Sequence, residues 1–245
     1  MKPEKNAKDM SKEELASYID QSVLKPEFTL EDTKKYIQEG IDYECKTVCV
    51  NPWAVPLAAE MCKDTKTKVC PVCDFPFGQS STESKVAQAE IILKDHAEDI
   101  SELDIVANYG WLCSGMYDEV TADLKAVSDV CHKYGVEVKV ILETDALTVE
   151  QVKKGCDCVV AAGGDFVKTS TGFLTGHEGN GATPEIIQIM MDQVNGKAKV
   201  KGSGAIRTRE HFLQLIDMGI DRMGIGYRST PTVLGLDETV STDSY

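Results

Sequence analysis

The sequence predicts an α/β protein folded as a single (β/α)8 TIM barrel with a short extra helix at its N-terminus. Apolar runs typical of strands alternate with amphipathic helical segments in eight units of about 25 to 30 residues, an order that favours a parallel sheet. Eight such units fit a closed barrel better than a doubly wound sheet, which usually has fewer strands. The length of 245 residues, without a linker-like run, also suits such a barrel.

The first half of the chain begins with a short helix within residues 1–16, opened by a capping box at Ser11 and Glu14. Four strands are then expected, at Tyr18–Ser22, Thr47–Val50, Thr67–Cys73 and Glu102–Val106. Helices are expected between them, from Thr29 to about Glu39, from Trp53 to Lys63 and from Ser80 to about His96. The first and last of these helices begin with the cap patterns Thr29-x-x-Asp32 and Ser80-x-x-Glu83.

The second half repeats the alternation. Strands are expected at Glu137–Leu142, Phe166–Thr169, Lys199–Lys201 and Arg222–Ile225, and helices at Tyr117–Tyr134, Thr148–Gly155, Pro184–Val194 and Thr208–Gly219. Thr148 and Gln151 form a capping box, and Pro184 suits a first helical turn. The polar, acidic tail at 237–245 is expected to be flexible. We therefore expect residues 1–245 to form one barrel domain.

Composition and charge exclude several classes of partner. The chain has 26 basic and 40 acidic residues and a net charge of -14, which disfavours nucleic acid, because binding to its phosphates depends on cationic neutralisation. Residues 1–15 are charged and lack the apolar segment of a signal peptide, and no apolar run reaches the roughly 18 residues that would cross a membrane. We therefore expect a cytoplasmic protein without a membrane partner.

The nine cysteines indicate reduced thiols, since their number is odd and their spacing is irregular. Cys70 and Cys73 have the spacing of a zinc or redox motif. They lie, however, in an apolar strand-like run without a second pair or a histidine at ligand distance. We therefore expect no metal and no cofactor.

The strongest candidate for chemistry is Lys168, in an apolar strand that leads directly into hydroxyl residues and Gly172. A buried ammonium must be paired or lose its proton, and a deprotonated lysine forms Schiff bases with carbonyl substrates. Lys201, in the neighbouring strand, would favour the neutral amine by like-charge repulsion, while Asp104 would keep Lys201 charged. The alternative is that Lys168 is only a solvated lysine at the barrel mouth.

Other polar residues are expected at the same place, because the active site of such barrels lies at the C-terminal ends of the strands. Those predicted late in their strands are Asp20, Cys49, Asp74, Asp104, Glu143, Lys168 and Lys201. Each alone has a structural explanation such as capping or packing, but together they indicate a site. Lys199 shares the inward parity of Lys201, so the sequence leaves open which of these two lysines matters more.

Four blocks of sequence carry a resemblance to a known family. They are Asp-Phe-Val-Lys-Thr-Ser-Thr-Gly from Asp165, Thr-Val-Cys-Val-Asn-Pro from Thr47, Glu-Leu-Asp-Ile-Val from Glu102 and Val-Lys-Gly-Ser-Gly-Ala-Ile-Arg from Val200. In order and spacing they resemble the deoxyribose-phosphate aldolase family of class I, Schiff-base aldolases, from about Asp20 to Gly226. The resemblance implies that Lys168 is the Schiff-base lysine, Lys201 its perturbing cation and Asp104 part of a proton relay.

The barrel geometry and the resemblance together give the candidate substrate-binding residues. They are Asp20, Ser22, Cys49, Thr169, Gly172, Gly204, Ala205, Arg207, Gly226 and Arg228. The segment from Gly204 to Arg207 leads into a helix and combines backbone N–H groups with a cation, as a phosphate site requires. The family usually has a second glycine at Ala205, and a glycine with paired serines where this chain reads Gly226, Tyr227 and Arg228. These departures leave the identity of the anion open.

The resemblance also implies a role for the last residue, Tyr245, since family members can end in Ser-Tyr with a tyrosine that assists proton transfer at the imine carbon. The sequence therefore predicts a metal-independent aldolase that cleaves 2-deoxy-D-ribose 5-phosphate to D-glyceraldehyde 3-phosphate and acetaldehyde. Its partners would be a small phosphorylated sugar and an aldehyde, and the resemblance implies a homodimer or homotetramer. The alternatives are a Schiff-base aldolase for another phosphorylated or carboxylated sugar, and a phosphosugar isomerase or binding barrel.

Overall fold

Eight parallel strands close into a barrel in the computed structural model, which describes residues 2–176 and 179–237. The strands are β1 (Ile19–Val23), β2 (Thr47–Val50), β3 (Lys68–Cys73), β4 (Glu102–Val106), β5 (Glu137–Ile141), β6 (Phe166–Lys168), β7 (Lys199–Ser203) and β8 (Arg222–Gly226). Each strand pairs in parallel with the next, and β8 pairs with β1. The predicted (β/α)8 barrel is confirmed.

Helices alternate with the strands around the barrel. They are α1 (Lys12–Ala16), α2 (Leu30–Asp42), α3 (Val55–Cys62), α4 (Thr82–Leu93), α5 (Tyr109–Cys113), α6 (Tyr117–Lys133), α7 (Val149–Ala161), α8 (Pro184–Val194), α9 (Arg209–Met218) and α10 (Thr230–Val233). The predicted short N-terminal helix is α1. The capping boxes expected at Ser11, Thr29 and Thr148 all form, which shows that local chemistry fixed these starts correctly.

Helix α7 runs to Ala161, so the prediction that it ends at Gly155 is wrong. Gly155 is a packing residue within the helix, because a Cβ there would lie 3.1 Å from Leu142 Cδ2. The glycine lets α7 approach the end of β5 closely. A helical glycine of this kind cannot be distinguished from a terminating glycine without the tertiary structure.

Two further local features differ from the expectation. Helix α4 is capped by Ser81, while Ser80 turns aside and donates its hydroxyl to Asp74 Oδ1 at 2.7 Å. The short helix α5 was not expected. It forms because the Asn108 side chain accepts from Trp111 N at 3.1 Å and so satisfies a free amide at its start.

The apolar core lies between the sheet and the helices. It contains outward-facing strand residues such as Val48, Leu103, Ile105, Val140, Val167, Val200 and Ile225. The interior of such a barrel is usually filled by branched apolar side chains, whereas here much of it is charged. No helix in residues 2–176 and 179–237 is long and apolar enough to cross a membrane.

Candidate active site

Lys168 ends strand β6 with its amine inside the barrel beside Asp104. Lys168 Nζ lies 2.7 Å from Asp104 Oδ2, and Lys201 Nζ lies 2.8 Å from the same oxygen. The strand register explains this convergence, since Lys168 and Lys201 are direct partners across β6 and β7. All three side chains are buried, and Lys168 is the most exposed of them at 3%. The structure therefore brings together the three residues predicted to carry the chemistry.

These three residues belong to a larger buried group of charges that crosses the barrel, here called the ionic layer. Its members are Asp20, Glu102, Asp104, Lys139, Lys168, Lys201 and Arg222. Lys139 Nζ lies 2.6 Å from Glu102 Oε2 and 3.1 Å from Asp104 Oδ1. Arg222 contacts Asp20 Oδ1 at 2.7 Å and both Glu102 oxygens at 2.8 and 2.9 Å. Each carboxylate of the layer thus contacts at least two cations.

Four cations face three carboxylates in the ionic layer, which gives it one positive charge in excess when all seven groups are ionised. Burial would raise the pKa of Asp104, but the neighbouring lysines, Lys139 first, lower it well below its ordinary value. Burial would likewise lower the pKa of Lys139 and of Lys201, but the carboxylates around them raise both. Those two lysines therefore keep their protons beside the carboxylates.

A glycine makes room for Lys201 in the neighbouring strand. A Cβ at Gly224 would lie 3.4 Å from Lys201 Cε and 3.1 Å from Ser203 Cβ. Ser22 borders the same space, with its Oγ 3.9 Å from that point. Ser22 therefore lies close to Lys201, and its contact with substrate stays a prediction.

A small apolar cluster borders the ionic layer beside β2 and β3. It consists of Leu24, Cys49, Cys70 and Val72, with Phe75 and Phe173 packed against it. Cys70 Sγ lies 3.2 Å from Lys139 Nζ and 3.3 Å from Asp104 Oδ1. Hydrogen bonding with Cys70 lowers the pKa of Cys49, against the effect of burial. Cys49 is thus a thiol beside the charged groups, close to its expected place.

The described residues contain two groupings of donor atoms that lie within metal-binding distance. They are Cys49, Cys70 and Asp104, and Asp20, Cys70 and Glu102, each with atoms within 4.8 Å. The donors of Asp104 and Cys70 already contact the Lys139 ammonium, and that positive charge disfavours a further cation. The other cysteine of the sequence motif, Cys73, donates its thiol to Lys85 O at 3.6 Å.

A polar cavity of about 280 Å³ opens at the C-terminal ends of β6 and β7. Gly172, Gly204, Ala205 and Arg207 all line it, so four predicted substrate-binding residues meet there. Ser170 lines it too, and in the described part of the chain neither Ser170 Oγ nor Arg207 Nε, both buried, has a hydrogen-bond partner. A buried donor without a partner costs about 1–3 kcal/mol. Glu143 and Asp145 line the cavity as well, so Arg207 and Ser170 are the two side chains there that suit an anion.

The backbone at Gly204 and Ala205 is left-handed at both residues, with φ of 82° and 59°. Gly181 packs against this turn, since a Cβ there would lie 2.3 Å from Gly204 O. Such turns form concave rows of N–H groups that suit an anion. Ala205 takes this shape at a cost of about 1 kcal/mol, which a glycine would not incur. The departure at Ala205 thus keeps the backbone shape and adds strain.

The end of strand β8 is built around an aromatic group. Tyr227 is buried against Phe28 and Tyr36, with ring centroids 5.1 and 4.0 Å away. Arg228 is exposed, with its guanidinium 5.4 Å from the Tyr227 ring centroid. Neither Arg228 nor Gly226 is among the described residues that line the polar cavity. Their contact with substrate stays a prediction.

Three other residues expected near the site have different surroundings. Asp20 lies within the ionic layer, 2.6 Å from Lys201 Nζ, with no exposed surface for a sugar hydroxyl. Thr169 links β6 to β7 by donating to Ser203 O at 2.8 Å. Asp74 turns to the start of α4, where its carboxylate accepts the Ser80 amide at 3.0 Å.

The structure distinguishes the two lysines of strand β7. Lys199 begins the strand at the opposite end of the barrel, where its Nζ lies 2.6 Å from Glu137 Oε1 and its side chain is 47% exposed. Lys201 lies one inward position further along, in the buried ionic layer. The two share a face of the strand but differ in depth, so only Lys201 is beside Lys168.

Sequence reasoning did not single out Lys139, Glu102 or Arg222, which complete the ionic layer. A signal was present for two of them. Glu102 is two residues before Asp104 and so shares its inward face. Lys139 alternates with apolar neighbours in β5, the same pattern that singled out Lys168. Arg222 begins its strand, and nothing in its local sequence indicated burial.

Comparison with known proteins identifies the family. The model of the family described as DeoC/LacD family aldolase matches residues 14–229. This chain belongs to the DeoC/LacD aldolase family. The resemblance drawn from the four sequence blocks is thereby confirmed.

Named relatives of this DeoC/LacD aldolase share one activity name. The chain is 45% identical over 217 residues to the deoxyribose-phosphate aldolase of Thermococcus kodakarensis, covering 88% of this chain and 94% of the relative. It is 44% identical to that of Finegoldia magna, covering 86% and 95%. A solved deoxyribose phosphate aldolase from Aeropyrum pernix, described as a unique tetramer, superposes with a TM-score of 0.81 at 29% identity, covering 92% and 91%.

The C-terminal tail of this DeoC/LacD aldolase lies almost wholly outside the described residues, which end at Asp237. Tyr245 is among the residues not described. Its predicted part in proton transfer therefore stays a prediction.

Proposed function

We propose that this DeoC/LacD aldolase cleaves 2-deoxy-D-ribose 5-phosphate to D-glyceraldehyde 3-phosphate and acetaldehyde through an imine at Lys168. The observation that carries the proposal is the contact of Lys168 Nζ with Asp104 Oδ2, an oxygen shared with Lys201. The nearby anion cavity with Ser170 and Arg207 supports a phosphorylated substrate. The named activity of the relatives supports this sugar phosphate in particular.

The first step is imine formation at the amine of Lys168. The neutral nitrogen attacks the C1 aldehyde, and the carbinolamine then loses its hydroxyl as water. That hydroxyl needs a proton. Asp104 and Lys201 are the groups positioned to pass it, since both lie beside Lys168 Nζ in a site shielded from bulk solvent.

Carbon-carbon cleavage follows from the charge on the imine. The protonated imine draws the electron pair of the C2–C3 bond toward nitrogen while the C3 hydroxyl loses its proton. The C3–C5 fragment leaves as the phosphorylated aldehyde. The remaining enamine takes a proton at C2, and water then releases acetaldehyde and restores Lys168. Lys201 keeps its charge throughout because the carboxylates around it raise its pKa, against the effect of burial.

Borohydride trapping followed by peptide mass mapping tests the imine. With acetaldehyde, we expect an adduct on Lys168 that is lost in Lys168→Arg, because a guanidinium stays protonated and cannot add to a carbonyl. Lys199→Arg is the matched control and should keep the adduct. An adduct without release of acetaldehyde from 2-deoxyribose 5-phosphate would indicate another sugar. Absence of any adduct would favour the isomerase or binding barrel.

A pair of arginine variants tests the anion site. Arg207→Gln should raise KM for 2-deoxyribose 5-phosphate by roughly tenfold to a hundredfold, because a charged hydrogen bond is worth about 1.5–3 kcal/mol. It should change activity on unphosphorylated 2-deoxyribose by less than about twofold. Arg228→Gln tests the other predicted arginine, and because Arg228 does not line the polar cavity, KM should rise less than in Arg207→Gln. Equal losses for both sugars in Arg207→Gln would contradict this assignment.

We further propose that the protein is a cytoplasmic homodimer or homotetramer, in which residues 1–245 form one domain with the N-terminal helix at 1–16 and a tail at 237–245. The tetrameric description of the Aeropyrum pernix relative supports self-association. Light scattering should give a mass at least twice that of one chain. A monomer at micromolar concentration would contradict the proposal.

A further inference from the structure

Glu143 is a buried acidic residue of the barrel mouth that the mechanism above does not use. It follows strand β5 with a left-handed backbone, φ 58° and ψ 61°, and is 1% exposed. Residues other than glycine in this conformation concentrate at functional sites. The flanking amides tie it to β6, since Leu142 N donates to Lys168 O and Thr144 N to Thr169 O, both at 2.9 Å. The Glu143 backbone is thus fixed beside the reactive lysine.

The Glu143 carboxylate binds Thr171, in the loop that follows Lys168. Thr171 N lies 3.2 Å from Oε1 and 3.4 Å from Oε2, and Thr171 Oγ1 donates to Oε2. Thr171 Oγ1 in turn accepts Phe173 N at 3.0 Å. Gly172, between them, is left-handed with φ of 84°. The carboxylate therefore fixes the shape of the turn from Thr171 to Phe173.

This turn contributes residues to two cavities at the mouth. Gly172 lines the polar cavity, and Phe173 lines a second, largely apolar cavity of about 420 Å³. Glu143 lines both. A shift of the turn would move Gly172 relative to Arg207 and Ser170, the groups proposed to meet the anionic end of the substrate. The position of the turn thus bears directly on binding.

The charges around Glu143 make this contact sensitive to pH. Burial raises the pKa of Glu143, and Asp145 adds to that effect, while the Thr171 donors and Lys168 oppose it. Arg207 lines the same polar cavity and Tyr109 the apolar one. Lys168, the cation that acts on Glu143, makes its own contact with Asp104 Oδ2 at 2.7 Å. Because its pKa is raised, the carboxylate gains its proton at a higher pH than an ordinary glutamate does.

We propose that Glu143 is a positioning residue for the reaction, whose carboxylate holds the turn from Thr171 to Phe173 so that the polar cavity fits the anionic end of the substrate. The N–H and the O–H of Thr171 both donate to this carboxylate, and such hydrogen bonds are strongest when the acceptor is ionised. Protonation of Glu143 weakens the contact, and binding of the phosphosugar weakens with it. The identity of the substrate in this inference rests on the proposed function, whereas the contact between Glu143 and Thr171 is independent of it.

The variant Glu143→Gln tests the proposal, since it keeps the size of the side chain and removes its charge. KM for 2-deoxyribose 5-phosphate should rise roughly tenfold or more, as expected for lost charge-assisted hydrogen bonds. The rise in KM of the parent enzyme on acidification should exceed that of the variant; the titration of the substrate phosphate affects both equally. Imine trapping with acetaldehyde, which has no anionic end, should stay within about twofold.

Amide exchange provides a readout that needs no substrate. Protection of the Thr171 and Phe173 amides, measured relative to the intrinsic exchange rate at each pH, should fall in Glu143→Gln and also in the parent enzyme as the pH falls. The melting temperature should stay the same or rise, because a raised carboxyl pKa means that the ionised side chain costs stability at neutral pH. A residue with only a structural role would lower it instead.

Three further variants complete the design. Thr171→Val removes the hydroxyl and should reproduce part of the KM increase. Thr171→Ser keeps the hydroxyl, and its KM should match that of the parent enzyme. Glu137→Gln removes a half-exposed carboxylate at the start of β5, the strand that Glu143 follows, and should change neither KM nor exchange. An unchanged KM or unchanged exchange in Glu143→Gln overturns the proposal. A parent enzyme that does not cleave 2-deoxyribose 5-phosphate refutes the proposed function, and the exchange result then decides the role of Glu143 alone.

Discussion

Replacing Lys201 with leucine should move the pH dependence of imine formation upward. Lys168 Nζ and Lys201 Nζ bind the same Asp104 oxygen at 2.7 and 2.8 Å, so the two nitrogens are less than about 5.5 Å apart. The charge of Lys201 therefore repels a proton on Lys168. In Lys201→Leu that repulsion is absent, and Asp104 has one cation fewer to share its charge with. Both changes favour the protonated form of Lys168, which cannot attack a carbonyl.

The size of this effect follows from Coulomb's law. Two unit charges about 5 Å apart at an effective dielectric of about 20 interact by roughly 3 kcal/mol. Since 1.36 kcal/mol corresponds to one pH unit, the pH of half-maximal imine trapping should rise by roughly 2 units. The pairing with Asp104 that remains would increase the shift further.

The assay is borohydride trapping with acetaldehyde over a range of pH at constant ionic strength, with the adduct on Lys168 quantified by mass spectrometry. Lys199→Leu is the matched control, because it removes a lysine from the same strand whose amine pairs with Glu137 at the far end of the barrel. Its midpoint should match that of the parent protein. An unmoved midpoint in Lys201→Leu, or an equal shift in Lys199→Leu, would refute the reasoning.

Three other predictions concern stability and the tail. Ala205→Gly should raise the free energy of unfolding, measured by chemical denaturation, by about 0.5–1 kcal/mol, because glycine adopts the left-handed backbone without strain. The control Ala161→Gly, at the right-handed end of α7, should lower the free energy of unfolding. Tyr245→Phe should lower kcat by at least about tenfold while trapping at Lys168 continues, and an unchanged kcat would show that the phenol is not needed. The lysines around Asp104 and Asp20 lower the pKa of both against burial, so the stability that these pairs provide is present above about pH 4 and is lost only as the pH falls further. Acid titration followed by circular dichroism should show unfolding below about pH 4. Unfolding that already begins above about pH 4 would contradict this prediction.

The strands and helix starts could be predicted from sequence because their signals are local. Ser11, Thr29 and Thr148 each satisfy a free helix amide with a side chain a few residues away, so the pattern contains the whole interaction. The end of α7 could not be predicted in this way. The role of Gly155 depends on contact with Leu142, which only the folded barrel supplies.

The sequence predicted which residue types form the site, but not how deep in the barrel each side chain lies. Alternation along a strand indicates which side chains face inward, and it placed Lys168, Lys201 and Asp104 correctly on that face. It does not indicate height in the barrel, because height depends on the stagger between neighbouring strands. For this reason Asp20 was expected at the mouth, where its carboxylate would meet a substrate, and instead lies within the ionic layer.

The order in which the ionic layer is distributed along the chain has a consequence for folding. Its three acidic members, Asp20, Glu102 and Asp104, all come from strands β1 to β4, and its four basic members, Lys139, Lys168, Lys201 and Arg222, all come from β5 to β8. Either half alone would have to bury like charges without partners, which is strongly unfavourable. Neither half-barrel can therefore complete its interior during synthesis until the other has been made. The same distribution makes the two halves complementary fragments, so that separately expressed pieces cut between β4 and β5 should attract each other and assemble.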